Sequence, residues 1–394
     1  MIIDRETGKK QTVTIEKIVS GGEGLFHDPN GVVGFVSAVL PGELVEVEIH
    51  PGTSRPLRAT LVRVIQPSPD RTEPQCPVFG RCGGCDWQFI NYHRQLALKG
   101  EILLENLRRL GRVDTAGIAV HAESGDPWGY RSRVQVHRSE EGRWGFRERR
   151  SHRVVPVDSC PIATKQINLS IAALNRELPS AERVTLVEDD HGVCRGDIGG
   201  EAQRTIAGRV LTFHPGSFFQ SNVPLLDRLT GILRADAAER SDHLLLDLYA
   251  GAGVLAALAV KEGQKVIAVE RDRRNADLIR RNLTGNGVPG ANITVFADAA
   301  ETRLHRLLPT GSDHESPSAT VILDPPRKGL SRQVRSWLLE RTFSRLAYLS
   351  CDSAALARDL GELTSVYPIR TIHLLDFYPQ TAQIETLVLL GGAD

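Results

Sequence analysis

No run of 18 apolar residues occurs in the chain, and Met1-Ile2-Ile3-Asp4-Arg5-Glu6 has none of the hydrophobic character that heads a secreted protein. These absences argue against a membrane partner, and a cytoplasmic protein is expected. An excess of charge is missing too, since Lys plus Arg and Asp plus Glu both number 48. Any nucleic acid must then be held by a local patch. Cysteine is scarce, and three of the six crowd between Cys76 and Cys85, which argues for metal binding or catalysis before disulfides. What is plentiful is ordinary globular sequence: 41% of the 394 residues are hydrophobic, enough for two or three domains, each with a core.

Residues 1–66 read as short strands broken by turns. Gly21-Gly22 and Pro29-Asn30-Gly31 punctuate them, and Leu44-Val45-Glu46-Val47-Glu48-Ile49 alternates with period two. About five strands in this length suggest a small OB-like barrel. Its Gly21-Gly22-Glu23-Gly24 turn and Val39-Leu40-Pro41-Gly42-Glu43 corner resemble the TRAM domain, an RNA-binding module. A barrel that only packs on a neighbour is the alternative.

The central stretch, 67–235, reads as a mixed α+β domain. Cys76, Cys82 and Cys85 place three soft ligands in ten residues, with Gly83 and Gly84 allowing a tight backbone. Cys160, in a Cys-Pro pair, Cys194 and Cys351 are the candidate fourth ligands, and four thiolates suit zinc or an iron-sulfur cluster equally. A helix is expected from Asn91 to Arg112, with Leu96, Leu103, Leu107 and Leu110 on one stripe. Arg143, Arg147, Arg149, Arg150 and Arg153, interleaved with Trp144 and Phe146, could hold phosphates and stack bases; a solvated charged face explains them as well.

Residues 236–394 read as a Rossmann-like α/β domain. The buried strand ending at Tyr249 leads into Gly251-Ala252-Gly253, and a second strand ends in Glu270, placed to take ribose hydroxyls. This turn serves a nicotinamide oxidoreductase as readily as a methyltransferase. Five further strands decide for the latter. One ends in Asp298, one in Asp324-Pro325-Pro326-Arg327, and one in Tyr348-Leu349-Ser350-Cys351, which brings a cysteine to a strand end before a helix, where a thiolate is favoured.

Asp324-Pro325-Pro326-Arg327-Lys328-Gly329, Ser350-Cys351-Asp352, Ala357-Arg358-Asp359-Leu360, Asp376-Phe377-Tyr378-Pro379-Gln380-Thr381 with Glu385-Thr386, and Phe218-Phe219-Gln220-Ser221-Asn222 together resemble the RNA uracil-C5 methyltransferases, the iron-sulfur and TRAM-containing kind that act on 23S rRNA. The resemblance implies a [4Fe-4S] cluster on Cys76, Cys82, Cys85 and Cys160. It implies S-adenosylmethionine held by Gln220, Tyr249, Glu270, Asp298 and Asp324, with Cys351 as nucleophile and Glu385 as base. The expected partner is RNA, with 23S rRNA favoured and tRNA the alternative, and a monomer is expected. A non-catalytic RNA-binding iron-sulfur protein is the competing reading. Two positions depart from many relatives: Asp352 stands where they have Asn, and Gln383 where they have His.

Overall fold

The computed structural model describes residues 8–52, 55–177, 181–239, 241–307 and 318–391. The outer ends of the first and last expected domains, 1–7 and 392–394, lie outside these. The chain gathers into two compact units, Met1–Ile102 with Tyr378–Gln383, and Leu103–Phe377 with Ile384–Asp394. The stretch 67–235, expected as one central domain, is thus divided between them. One cause is that its strand Ala119–Glu123 pairs in parallel with Ile369–Leu375 and becomes an edge of the large C-terminal sheet.

In the first unit six strands, one more than expected, lie in the order Lys10–Thr14, Leu44–Ile49, Leu57–Gln66, Val33–Val36, Gly24–His27, Lys17–Ile18. The period-two pattern turns Val45 and Val47 inward, where they join Val13, Ile15, Phe26, Val36 and Val39 in one core. Gly34 lets the Phe26 ring lie against its strand, because a Cβ there would stand 2.3 Å from the ring.

The segment carrying Cys76, Cys82 and Cys85 runs largely in turns and ends in the buried Trp87. Gln95 and Gln380 exchange hydrogen bonds at 3.0 Å, and the Gln380 carbonyl accepts from the amides of Asp86 and Trp87, which ties Tyr378–Gln383 to this segment. The helix is Tyr92–Arg109. It buries Leu103 and Leu107 as the stripe requires, yet leaves Leu110 57% exposed and takes Gln95 and Lys99 inside. Those polar ends have partners: the Lys99 ammonium donates to the Tyr378 carbonyl at 3.1 Å.

The second unit is built on an eight-stranded sheet in the order Ile293–Phe296, Lys265–Val269, Leu244–Leu248, Ala319–Leu323, Arg345–Ser350, Glu385–Leu390, Ile369–Leu375, Ala119–Glu123. The first five are parallel, and Glu385–Leu390 runs antiparallel to both neighbours. The seven strands expected from the sequence are all present, closed by the expected adjacent pair. Every residue of Arg345–Ser350 and of Glu385–Leu390 is buried, as continuous apolar runs at a sheet centre require. A separate five-stranded sheet contains Arg133–Arg138, Trp144–Arg147, Val154–Pro156, Arg183–Asp189 and Gly192–Arg195. Among the described residues no helix is long and apolar enough to cross a membrane.

Candidate active site

Strand register assembles the site. Ser350 and Thr386 form the last pair of the antiparallel ladder, so Cys351 and Glu385 are the next residues outward on the two strands, and the Glu385 charge acts on the Cys351 thiol. Asp247 pairs with Ile322, two residues before Asp324. Because alternate residues share a face, Asp247, Asp324, Cys351 and Glu385 all fall on one face of the sheet.

Cys351 is half-buried at the turn between its strand and the helix Ser353–Leu363. The Asp352 carboxylate caps that helix by accepting from the amides of Ala354 and Ala355 at 3.1 and 2.8 Å. Asn and Asp are comparable N-caps, so the departure at Asp352 preserves this function. The position favours a thiolate in principle, yet the balance here goes the other way. Burial first, then the charges of Glu385 and Asp324, push the Cys351 thiol up to about 11, with Arg327 opposing them. One helix end is outweighed by desolvation and two acids.

Those two acids are displaced as well. Burial, then Asp324, pushes Glu385 up to about 8, and burial pushes Asp324 up to about 7. Asp247, 1% exposed, is driven to about 8 by burial, then by Asp324. The sequence pointed to neither the Arg327 charge nor Asp247; a carboxylate inside the run Leu244-Leu245-Leu246-Asp247-Leu248 was the available signal for the second. Above about pH 4 an unfolded chain has released these protons, while the folded chain keeps them until about pH 7 to 8. The folded state therefore binds more protons across this window, and its stability should fall as pH rises through it. Urea titrations of the cofactor-free protein at pH 5 and pH 8 are expected to differ by about 2 kcal/mol or more, with the lower pH more stable.

The loop after Asp324 is held from the far face of the sheet. Asp359, fully buried, accepts from the Leu330 amide at 2.8 Å, the Tyr348 hydroxyl at 2.7 Å and the guanidinium of Arg335 at 3.2 Å. Arg358 bonds the same carboxylate at 2.7 Å and donates to the Lys328 carbonyl at 2.8 Å. Gly329, at φ +72°, must be glycine, since a Cβ would lie 2.5 Å from Asp359 Oδ2. Asp359→Ala would strand two arginines and a buried hydroxyl. It is expected to cost about 3 kcal/mol or more in urea unfolding.

Of the other predicted residues, Tyr249 and Glu270 lie at the glycine turn. Tyr249 follows Leu244–Leu248 at φ +72°, a strained geometry for a residue with a side chain. The Glu270 carboxylate accepts from the Gly251 amide at 2.8 Å and the Asp272 amide at 2.7 Å, so it is fixed beside the turn with lone pairs remaining. Asp298, after Ile293–Phe296, bonds Arg303 at 2.9 Å; the Thr302 hydroxyl, then the Ala299 amide, hold its carboxyl below the usual range. Gln220 is buried just before Asn222, which caps the helix Val223–Ala238. A turn of positive-φ glycines flanked by fixed carboxylates, at the edge where the sheet order reverses, fits a nucleoside cofactor.

The tRNA (uracil-5-)-methyltransferase family model matches residues 201–392, and the TRAM domain model matches 4–62. An uncharacterized RNA methyltransferase of Streptomyces coelicolor is 31% identical, over 98% of this chain and 93% of that protein. This chain belongs to the RNA (uracil-C5) methyltransferase family. The enzyme is S-adenosylmethionine-dependent and carries an N-terminal TRAM domain. The 23S rRNA (uracil(1939)-C(5))-methyltransferase RlmD of Pseudomonas aeruginosa is 28% identical, over 97% of this chain and 94% of that one. The crystal structure of Pyrococcus abyssi tRNA (uracil-54, C5)-methyltransferase in complex with S-adenosyl-L-homocysteine shares the fold. It has a TM-score of 0.72 at 21% identity and covers 96% of this chain and 100% of that one.

Cys76, Cys82, Cys85 and Cys160 are each partly buried, and among the described residues no three His, Cys, Asp or Glu side chains stand grouped as metal ligands. One expectation for this methyltransferase is not met. Trp144, read as able to stack a base, is fully buried. The alternation of its strand sends it into the core.

Proposed function

We propose that this methyltransferase acts on uridine in 23S rRNA through a covalent adduct between Cys351 and uracil C6. The observation that carries the reading is the ladder that ends at Ser350 and Thr386, one residue short of Cys351 and Glu385, with the Glu385 charge acting on the thiol. Uracil C5 is a weak nucleophile, and attack of the Cys351 thiolate on C6 moves an electron pair into the ring to make an enolate. When bound, S-adenosylmethionine would supply the electrophilic methyl group to C5 and leave as the neutral thioether S-adenosylhomocysteine. The Glu385 carboxylate then removes the C5 proton, the C5–C6 double bond re-forms, and the C6–S bond breaks to return Cys351 as thiolate. A carboxyl raised to about 8 is a stronger base than an ordinary glutamate, which suits a carbon-bound proton. Arg327 is the cation that favours both anions. The target base must leave its stack to reach Cys351.

Gln220, Tyr249, Glu270, Asp298 and Asp324 are the residues we assign to S-adenosylmethionine. For a [4Fe-4S] cluster the support is the donor type and the loop. All four positions are cysteines outside any disulfide, Gly80 turns at φ +83°, and the Gly84 amide points at Cys82 Sγ from 3.4 Å; no reaction step is routed through it. The 23S rRNA reading draws on likeness to RlmD along nearly the whole chain.

The test is nucleoside mass spectrometry after the protein and S-adenosylmethionine are incubated separately with unmodified ribosomal RNA and transfer RNA. 5-Methyluridine is expected in the ribosomal pool. Its appearance only in transfer RNA would move the substrate, and its absence from both would remove the uridine reading.

A further inference from the structure

The basic stretch that marks the central sequence borders a hollow of about 830 Å³ on the five-stranded sheet. Register again fixes what faces it. Arg183 pairs with His137, His137 with Gly145, and Arg147, two residues on, with Val154. Cross-strand partners share a face, so Arg183, His137 and Arg147 stand together, and Arg138 and His152 also line the hollow. Glu140 and Glu182 also line it.

The arginines here differ from their neighbours. Arg143 pairs with Asp158 at 2.7 Å and Arg153 with Glu148 at 3.7 Å. Among the described residues Arg138, Arg147 and Arg183 enter no ion pair, although two glutamates are nearby. Between Arg147 and Arg183 sits His137, 9% exposed, whose imidazole is pushed down by burial and then by those two guanidiniums. Unpaired like charges converging over a buried neutral ring leave a site that an anion would relieve. The hollow is too large for a single small ion, and Trp144, the aromatic that could have stacked a base, is buried beneath the sheet. The lining holds charge and forked donors and no Phe, Tyr or Trp, which suits a phosphate backbone better than bases.

We propose that this hollow holds consecutive backbone phosphates of the substrate RNA, with Arg147 and Arg183 as their guanidinium partners. The inference rests on RNA being the substrate. Contacts of this kind fix the register of the strand without reading its sequence.

The test is the double variant Arg147→Ala/Arg183→Ala, two exposed positions whose loss should leave the fold intact. Binding of a ribosomal RNA fragment is titrated over a series of salt concentrations, beside kcat and S-adenosylmethionine affinity. Affinity is expected to fall about tenfold or more at low salt, and the log–log salt slope to become shallower by about 1.4 to 1.8, the share of two phosphate contacts. Cofactor affinity, and kcat at saturating RNA, should hold. Arg147→Lys/Arg183→Lys should keep the slope and lose part of the affinity, because charge remains while the fork is gone. An Ala variant with unchanged affinity and slope overturns the proposal, as does a wild-type protein that binds no RNA. Weakened binding in the variant, with no 5-methyluridine formed by either protein, would keep the phosphate hollow and remove the uridine reading.

Discussion

Cys351→Ala should lower 5-methyluridine formation by about four orders of magnitude or more while S-adenosylmethionine still binds. Without the sulfur no bond forms at C6, the enolate is not made, and the ring stays too electron-poor at C5 to take a methyl group. Alanine also removes a half-buried thiol that is pushed up to about 11 in the substrate-free site, so the fold should lose little. Isothermal titration with the cofactor and single-turnover assays on RNA separate the two effects. Turnover near the wild-type rate would end the case for Cys351 as nucleophile, and loss of cofactor binding would mean that the substitution had disturbed the sheet edge.

Glu385→Gln should behave differently. Attack at C6 and methylation at C5 remain open to it, but proton removal and elimination do not, so protein joined to RNA should accumulate. Turnover should fall by about 10²- to 10⁴-fold, with a slow-migrating species on denaturing gels whose mass is the sum of protein and RNA plus one CH2 unit, the methyl gained less the thiol proton lost. Glutamine has nearly the size of glutamate and no charge, and at this fully buried position it should stabilise the cofactor-free protein at pH 8. Slow turnover without any adduct would place the base elsewhere; Asp324, on the same face and raised to about 7, would be the next residue to test. The two variants together divide the reaction at the adduct, which neither does alone.

The sequence was sufficient for much of this. Strand ends are readable because a buried strand is an apolar run, and a residue that breaks the run at its carboxyl end is held at the sheet edge. Glu270, Asp298, Asp324 and Cys351 were read in this way, and each follows a strand of the large sheet, as does Tyr249, whose role comes from the family resemblance. The N-terminal core followed from alternation in Leu44–Ile49. Helix periodicity was less dependable. The stripe through Tyr92–Arg109 omitted Gln95 and Lys99, because a buried polar side chain is decided by whether distant backbone offers it a partner, and Tyr378 and Gln380 do.

Tertiary structure alone decided the rest. Sequence order separates Asp247, Asp324, Cys351 and Glu385 widely, and only strand register puts them on one face. Their shared burial then favours the protonated form of each, since desolvation and like charge both disfavour the ionised forms. Likewise the basic stretch was legible as composition, but register and pairing chose which of its arginines stand unpaired over the hollow and turned its tryptophan into core. Residue type fixed what chemistry could occur in this protein, and the long-range ladder fixed which residues could share it, because a pairing between distant strands is an energy of the whole sheet and leaves no local mark in the chain.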